Sequence, residues 1–236
     1  MKAILIKELR NFFNSPSTYL IIGFFLSITG LIIWIFPDPA PNILNSGIAN
    51  LSNFFELVPL LLLLLTPLLT MGVISEEKKS KTIELILTKP INEKNIITGK
   101  FLACLTYIII TFLPTIIYVF CINDLSKENL DIAQIITGYF GLILISSFFI
   151  SIGVFYSTLS KKQIIAFILT FITILFMIEG IEMIKKMEVL EFLSLFSVNE
   201  RFEGFKKGII DIKDIMFFIS MTFLFIFLSI EILKKR

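Results

Sequence analysis

Apolar residues in this chain gather into six long blocks separated by shorter polar stretches, at about 18–36, 54–74, 101–121, 133–158, 164–182 and 215–233. A helix rises about 1.5 Å per residue, so blocks of about 20 residues cross about 30 Å of hydrocarbon. Barrel strands would be half as long and would alternate in polarity, which these do not. The pattern predicts an all-α integral membrane protein with six transmembrane helices in one domain, residues 1–236. The first block is too long for the core of a signal peptide. Pro37-Asp38-Pro39-Ala40-Pro41 is also a poor cleavage site, so a retained first helix is expected.

Between the blocks the polar pattern is structured. Over residues 2–14, Leu5, Ile6, Leu9, Phe12 and Phe13 fall on one side of a helical wheel, while Lys7, Glu8, Arg10, Asn11 and Asn14 take most of the other. This predicts an amphipathic helix lying on the membrane surface and ending at Ser15-Pro16. The plainer alternative is a short basic topogenic tail.

The segment 75–100 opens on Ser75, which suits a helix cap, and on Glu76 and Glu77, which complement the positive end. Ile83, Ile86 and Leu87 share a face, Pro90 stops the helix, and Asn92 caps the next one. A short rigid helix held between two spans can dock on a partner. An ordinary connector with a solvated charge run is the alternative. The segment 183–214 interleaves Phe196, Phe202 and Phe205 with charges, and Gly208 marks a helix stop. Short helices packed at the outer interface are expected there. Its acidic residues make nucleic acid a poor partner. The loop 37–53, rich in Pro, Asn and Ser, reads as a turn region.

Composition agrees with the pattern. Of 236 residues 56% are hydrophobic, and mean hydropathy is +0.91, which excludes a soluble globule and a disordered chain. The 21 Lys and Arg nearly balance 19 Asp and Glu, so no global basic field exists to hold nucleic acid. The first, third, fifth and last polar segments carry 14 of the cations, the alternate ones 7, so both termini are expected on the cytoplasmic side. The segment 183–214 holds six of those seven together with six acidic residues, and is the weakest part of that count.

Candidate chemistry is sparse. The chain has no histidine, which removes imidazole triads, zinc sites of the HExxH kind and imidazole proton relays. Cys104 and Cys121 each lie inside an apolar block and read as buried thiols. No catalytic or metal-ligating constellation appears, and no GxxxxGK[ST] loop, since Gly99-Lys100 is followed by Phe101.

Ionisable residues within the blocks are Glu56, Glu179 and Glu231, all near block ends, where an interfacial role is expected. Without a central carboxylate relay, a proton-driven pump is disfavoured. Pro59 and Pro67 in the second block and Pro114 in the third should bend their helices, and the second could line a pathway. Gly23/Ser27, Ser147/Ser151 and Gly153/Ser157 have spacings that suit close helix packing.

The run from Glu76 to Ile91 resembles the first cytoplasmic loop of type-2 ABC exporter permeases, matching at Glu77, Lys78, Lys79, Thr82, Glu84, Leu85, Leu87, Thr88 and Pro90. Lys81 departs from it, because the family usually has Gly there. Residues 202–214 are similar to the segment before the last span in gliding-motility-associated (GldF-like) permeases.

The resemblance implies a coupling helix in which Glu76, Glu77, Lys78, Lys79, Thr82, Glu84, Leu87 and Pro90 contact a cytoplasmic ABC ATPase subunit. The helix bearing Leu5, Leu9, Phe12 and Phe13 would lie on the same interface. It implies a transport subunit in the bacterial inner membrane that is not itself an enzyme. ATP and Mg would be on the partner. A second copy, or a different permease subunit, would pack against the second and fifth spans. Two other functions stay open: an anchor or energising part of a motility or secretion machine, and a stand-alone secondary carrier.

Overall fold

The structure, a computed structural model, describes residues 1–35, 51–82, 92–125, 131–181, 183 and 196–235. Among these no strand occurs. Among the described residues six helices are long and apolar enough to cross a membrane.

Helix α1 (Lys2–Asn14) ends where Ser15 turns extended (φ −92°, ψ 125°), as the residue before a proline prefers. Pro16 then takes the first position of α2 (Pro16–Trp34), where its missing N–H costs nothing. Helix α3 (Ser52–Thr70) contains both Pro59 and Pro67, each buried. A short turn leads to α4 (Ser75–Lys79).

Helix α5 (Glu93–Phe112) starts about two turns before the apolar block does. Its first turns carry Lys94 and Lys100, which mask the span in a hydropathy count, yet Ile96 and Ile97 there are buried. At Pro114 the α-helix tightens into a 3₁₀ turn, Leu113–Thr115, and resumes as α6 (Ile116–Leu125). Helix α7 (Ile132–Leu159) is the longest, with Asp131 capping it through the N–H of Gln134. Helix α8 (Gln163–Leu175) passes into one π-helical turn, Phe176–Gly180, which carries Glu179. Helix α9 (Val198–Lys206) and α10 (Ile212–Lys234) complete the chain, with Ser197 and Asp211 as their caps.

Helix α7 is the axis of the bundle: α3, α5, α8, α9 and α10 all pack on it. A Cβ at Gly153 would collide with the Thr70 side chain, so the missing side chain is what lets α3 and α7 approach there. Ser157, one turn on, lies on the same crossing. Of the other small-residue pairs, Ser147 approaches Thr222 of α10, 3.4 Å between hydroxyls. Gly23 faces open space within this chain.

Helix α9 lays Phe202 and Phe205 on α7. It stops where Gly208 adopts φ +81°, and the Ile209 N–H closes on the Gly204 carbonyl at 2.9 Å. At this end of the bundle Glu56, Glu179, Glu200, Glu203, Lys206 and Lys207 line a cavity of about 460 Å³. Glu231 pairs with Lys234 (2.6 Å) at the exposed end of α10. Both cysteines are free; Cys104 is buried and Cys121 half-buried.

Candidate functional site

The end of the bundle that bears α1 and α4 holds a concentration of buried charge. It is built on Lys100, at the second turn of α5, whose side chain is only 2% exposed. A buried ammonium is tolerated where its donors meet acceptors. Lys100 Nζ donates to Glu8 Oε1 of α1 at 2.9 Å and to the Val73 carbonyl in the turn before α4 at 2.6 Å. Its third neighbour is Glu77 Oε1 of α4, at 3.0 Å. Lys7 reaches the same carboxylate from the exposed side, donating at 3.3 Å. One cation thus gathers α1, the turn and α4 onto α5. The other Glu77 oxygen, Oε2, is buried and has no hydrogen-bond partner among the described residues.

Helix α1 is held along the same seam. Ile4 packs against Gly99, and Phe12 lies 5.7 Å from the Tyr107 ring, both one turn from Glu8. The Tyr107 hydroxyl donates to the Thr18 carbonyl at 2.7 Å, which ties the start of α2 to α5. The stripe that enters the protein is therefore Ile4, Glu8 and Phe12. Leu5, Leu9 and Phe13 are half-buried beside it. Glu8, placed by the helical wheel among the polar positions, is buried instead, because Lys100 supplies its counter-charge.

The elbow between α3 and α4 is fastened to the far end of α7. Ser157 Oγ accepts from the N–H groups of Ile74 (3.0 Å) and Ser75 (3.1 Å), and donates to the Met71 carbonyl (3.2 Å). The expected cap, Ser75, does not cap: its hydroxyl turns back to the Met71 carbonyl. The first N–H groups of α4 are satisfied from across the bundle by Ser157 instead. Lys78, 5% exposed, extends along α7 and donates to the Thr158 carbonyl. Asn92 does occupy the cap position of α5, but its side chain makes no capping bond.

The loop residues singled out from the sequence thus divide. Glu77 and Lys78 turn into the protein, while Glu76, Lys79 and Thr82 are exposed. Glu84, Leu87 and Pro90 lie outside the described residues, as does the face made by Ile83, Ile86 and Leu87. At Lys81, where Gly was expected from the resemblance, the backbone takes the left-handed φ of +58°. The turn has the shape a glycine would give it, and a lysine bears the strain. Ser80 Oγ steadies this turn through the Glu76 carbonyl (2.9 Å) and Thr82 Oγ1 (2.8 Å). A cavity of about 770 Å³, walled by Asn11, Ser17, Gly72, Glu76 and Gln163, lies beside the joint.

Pro59 and Pro67 sit on α3 between its two ends, and Thr66 and Thr70 return their hydroxyls to the carbonyls of Leu62 (2.7 Å) and Thr66 (2.7 Å). Sequence reasoning missed Glu8 and Lys100 as a pair. The available signal was a carboxylate one turn from both Ile4 and Phe12, and a lysine set against the start of an apolar block.

Among the described residues six membrane-length helices, with α7 central among them and a charged joint at one end of the bundle, define a polytopic membrane protein. The chain belongs to the ABC-2 family of transporter membrane proteins: the family model described as ABC-2 family transporter protein matches residues 3–235. Comparison with curated proteins gives no match.

Proposed function

We propose that this chain is the permease subunit of an ABC transporter, driven by a separate ATPase subunit through the segment 75–100. The observation that carries the reading is the joint at α4. A lever transmits force only when its attachments are stiff, and α4 is held by Ser157 and Lys78 to α7 and by Glu77 and Lys100 to α5. Its exposed side, Glu76, Lys79 and Thr82, is left for a partner, and Glu84, Leu87 and Pro90 would continue that contact. ATP and Mg would bind on the partner, since the sequence has no P-loop. The excess of Lys and Arg on the segments that include both termini supports a cytoplasmic placement for this end, in a bacterial inner membrane. A second permease, identical or different, would complete the path.

Membership in the gliding-motility branch is a narrower proposal, supported by the resemblance over residues 202–214. Normal solute efflux with lost surface movement on deletion of the gene would favour an anchoring or energising role over transport.

The first experiment is purification of the tagged chain in mild detergent, with mass spectrometry of what accompanies it. A P-loop ATPase that crosslinks to a cysteine introduced at Thr82 is the expected result. Its absence from an intact membrane complex would overturn the reading in favour of a carrier acting alone.

A further inference from the structure

We propose that Lys100 is the positioning residue of the lever, the group that makes α1 and α4 move as one body on α5. The proposal rests on the lever reading and deepens it. Three observations carry it. The acceptors around the ammonium come from three separate stretches of chain: Glu8 on α1 at 2.9 Å, the Val73 carbonyl at 2.6 Å and Glu77 on α4 at 3.0 Å. The ammonium is buried, so water and salt compete poorly for these partners. Charge also constrains the joint: two carboxylates face two ammonium groups, of which only Lys100 is buried, and withdrawing either carboxylate costs that ammonium one of the three groups that satisfy it, where burial keeps water from taking its place. Displacing α4 or α1 alone would do that, so α1, α4 and the start of α5 hold together as one body.

The test uses the full chain in lipid nanodiscs with no partner present, and pulsed electron paramagnetic resonance on spin labels. One pair spans the joint, at Arg10→Cys and Lys79→Cys, both exposed positions. A second pair, at Lys207→Cys and Phe223→Cys, both exposed, reports the integrity of the bundle away from the joint. Cys104→Ala and Cys121→Ala remove the native thiols. The joint pair should give one narrow distance. Lys100→Met should broaden it by several ångströms.

Because that variant strands two carboxylates and can fail to fold, the neutral triple variant Glu8→Gln/Glu77→Gln/Lys100→Met is decisive. It should keep the control distance and still broaden the joint. Adding Lys78→Met to the otherwise native chain, which removes one of the two ties between α4 and α7 and leaves that through Ser157, should leave the joint distance narrow because α1 and α4 are joined through Lys100. A joint as narrow in the triple variant as in the native chain would overturn the proposal. So would a joint that Lys78→Met alone pulls apart. Either failure would leave the ATPase partnership, tested by co-purification, standing.

Discussion

At Lys81 a single dihedral angle makes a quantitative claim. A lysine at φ +58° pays a steric cost between Cβ and the following carbonyl that glycine does not. Lys81→Gly is expected to stabilise the turn by about 1 kcal/mol, less what the glycine adds to the entropy of the unfolded chain. The apparent melting temperature in detergent should rise by about 2 °C. Lys81→Val, branched at Cβ, should lower it; equal melting of both variants would show that the turn is not held in the left-handed region. The buried charges make a second claim. Removing a cation that serves two carboxylates costs more than removing all three groups. Lys100→Met should therefore destabilise by about 3–5 kcal/mol, and the neutral triple variant by clearly less. Thermal melts of the two decide the order. If the triple variant is the worse, packing around the joint outweighs its electrostatics.

Among the elements, the six spans were legible because bilayer thickness imposes a block length that composition cannot disguise. So were Pro16, which divides α1 from α2, and Gly208, which ends α9. What could not be read is what depends on residues distant in sequence. Glu8 and Lys100 are 92 positions apart, and a wheel drawn on one helix cannot see that the other supplies its counter-ion. Ser75 looked like a cap because local rules favour serine there, but Ser157, 82 positions away, does the capping. The start of α5 was legible from Asn92, but Lys100, eight residues on, was counted as a loop cation, although it is buried. The elbow of α4 gives the prediction that belongs to this scale. Ser157→Ala should leave the Ile74 and Ser75 N–H groups unpartnered, at a cost of about 1–3 kcal/mol each. The connecting segment should then open more often, seen as faster deuterium exchange at Ile74 and Ser75 and faster proteolysis between residues 75 and 100. Unchanged exchange would mean that Lys78 alone fastens α4 to α7. Gly153→Ala, placed against Thr70, should separate α3 from α7 and lower stability by about 1–3 kcal/mol.

For the whole molecule, the question is whether force applied to the loop reaches the spans. The exit from α4 runs through Lys81, left-handed, into Thr82, whose hydroxyl meets Ser80 Oγ at 2.8 Å. A proline at position 82 would remove that hydroxyl and push Lys81 toward extended backbone, re-aiming everything beyond it. Apart from a long hydrogen bond, 3.4 Å, from the Thr82 hydroxyl to the Glu77 main-chain carbonyl, the site of the change is separate from the six spans and from the charged groups around Lys100. Thr82→Pro is therefore expected to insert normally, with wild-type amounts in the membrane fraction and the same elution in detergent. With the ATPase found by co-purification and both proteins placed in nanodiscs, its hydrolysis should fall to the rate of the ATPase alone. Glu84→Lys, a charge reversal within the proposed contact segment, should do the same without the backbone restriction that a proline imposes. The two variants separate shape from charge. Loss in both marks the segment as the contact that drives the permease. Loss in Thr82→Pro alone would assign the effect to the direction of the loop rather than to the Glu84 carboxylate. Full stimulation in both would remove the loop from the drive train altogether. The stiffness of the joint at Lys100 would then have to serve the packing of the bundle rather than the transmission of force.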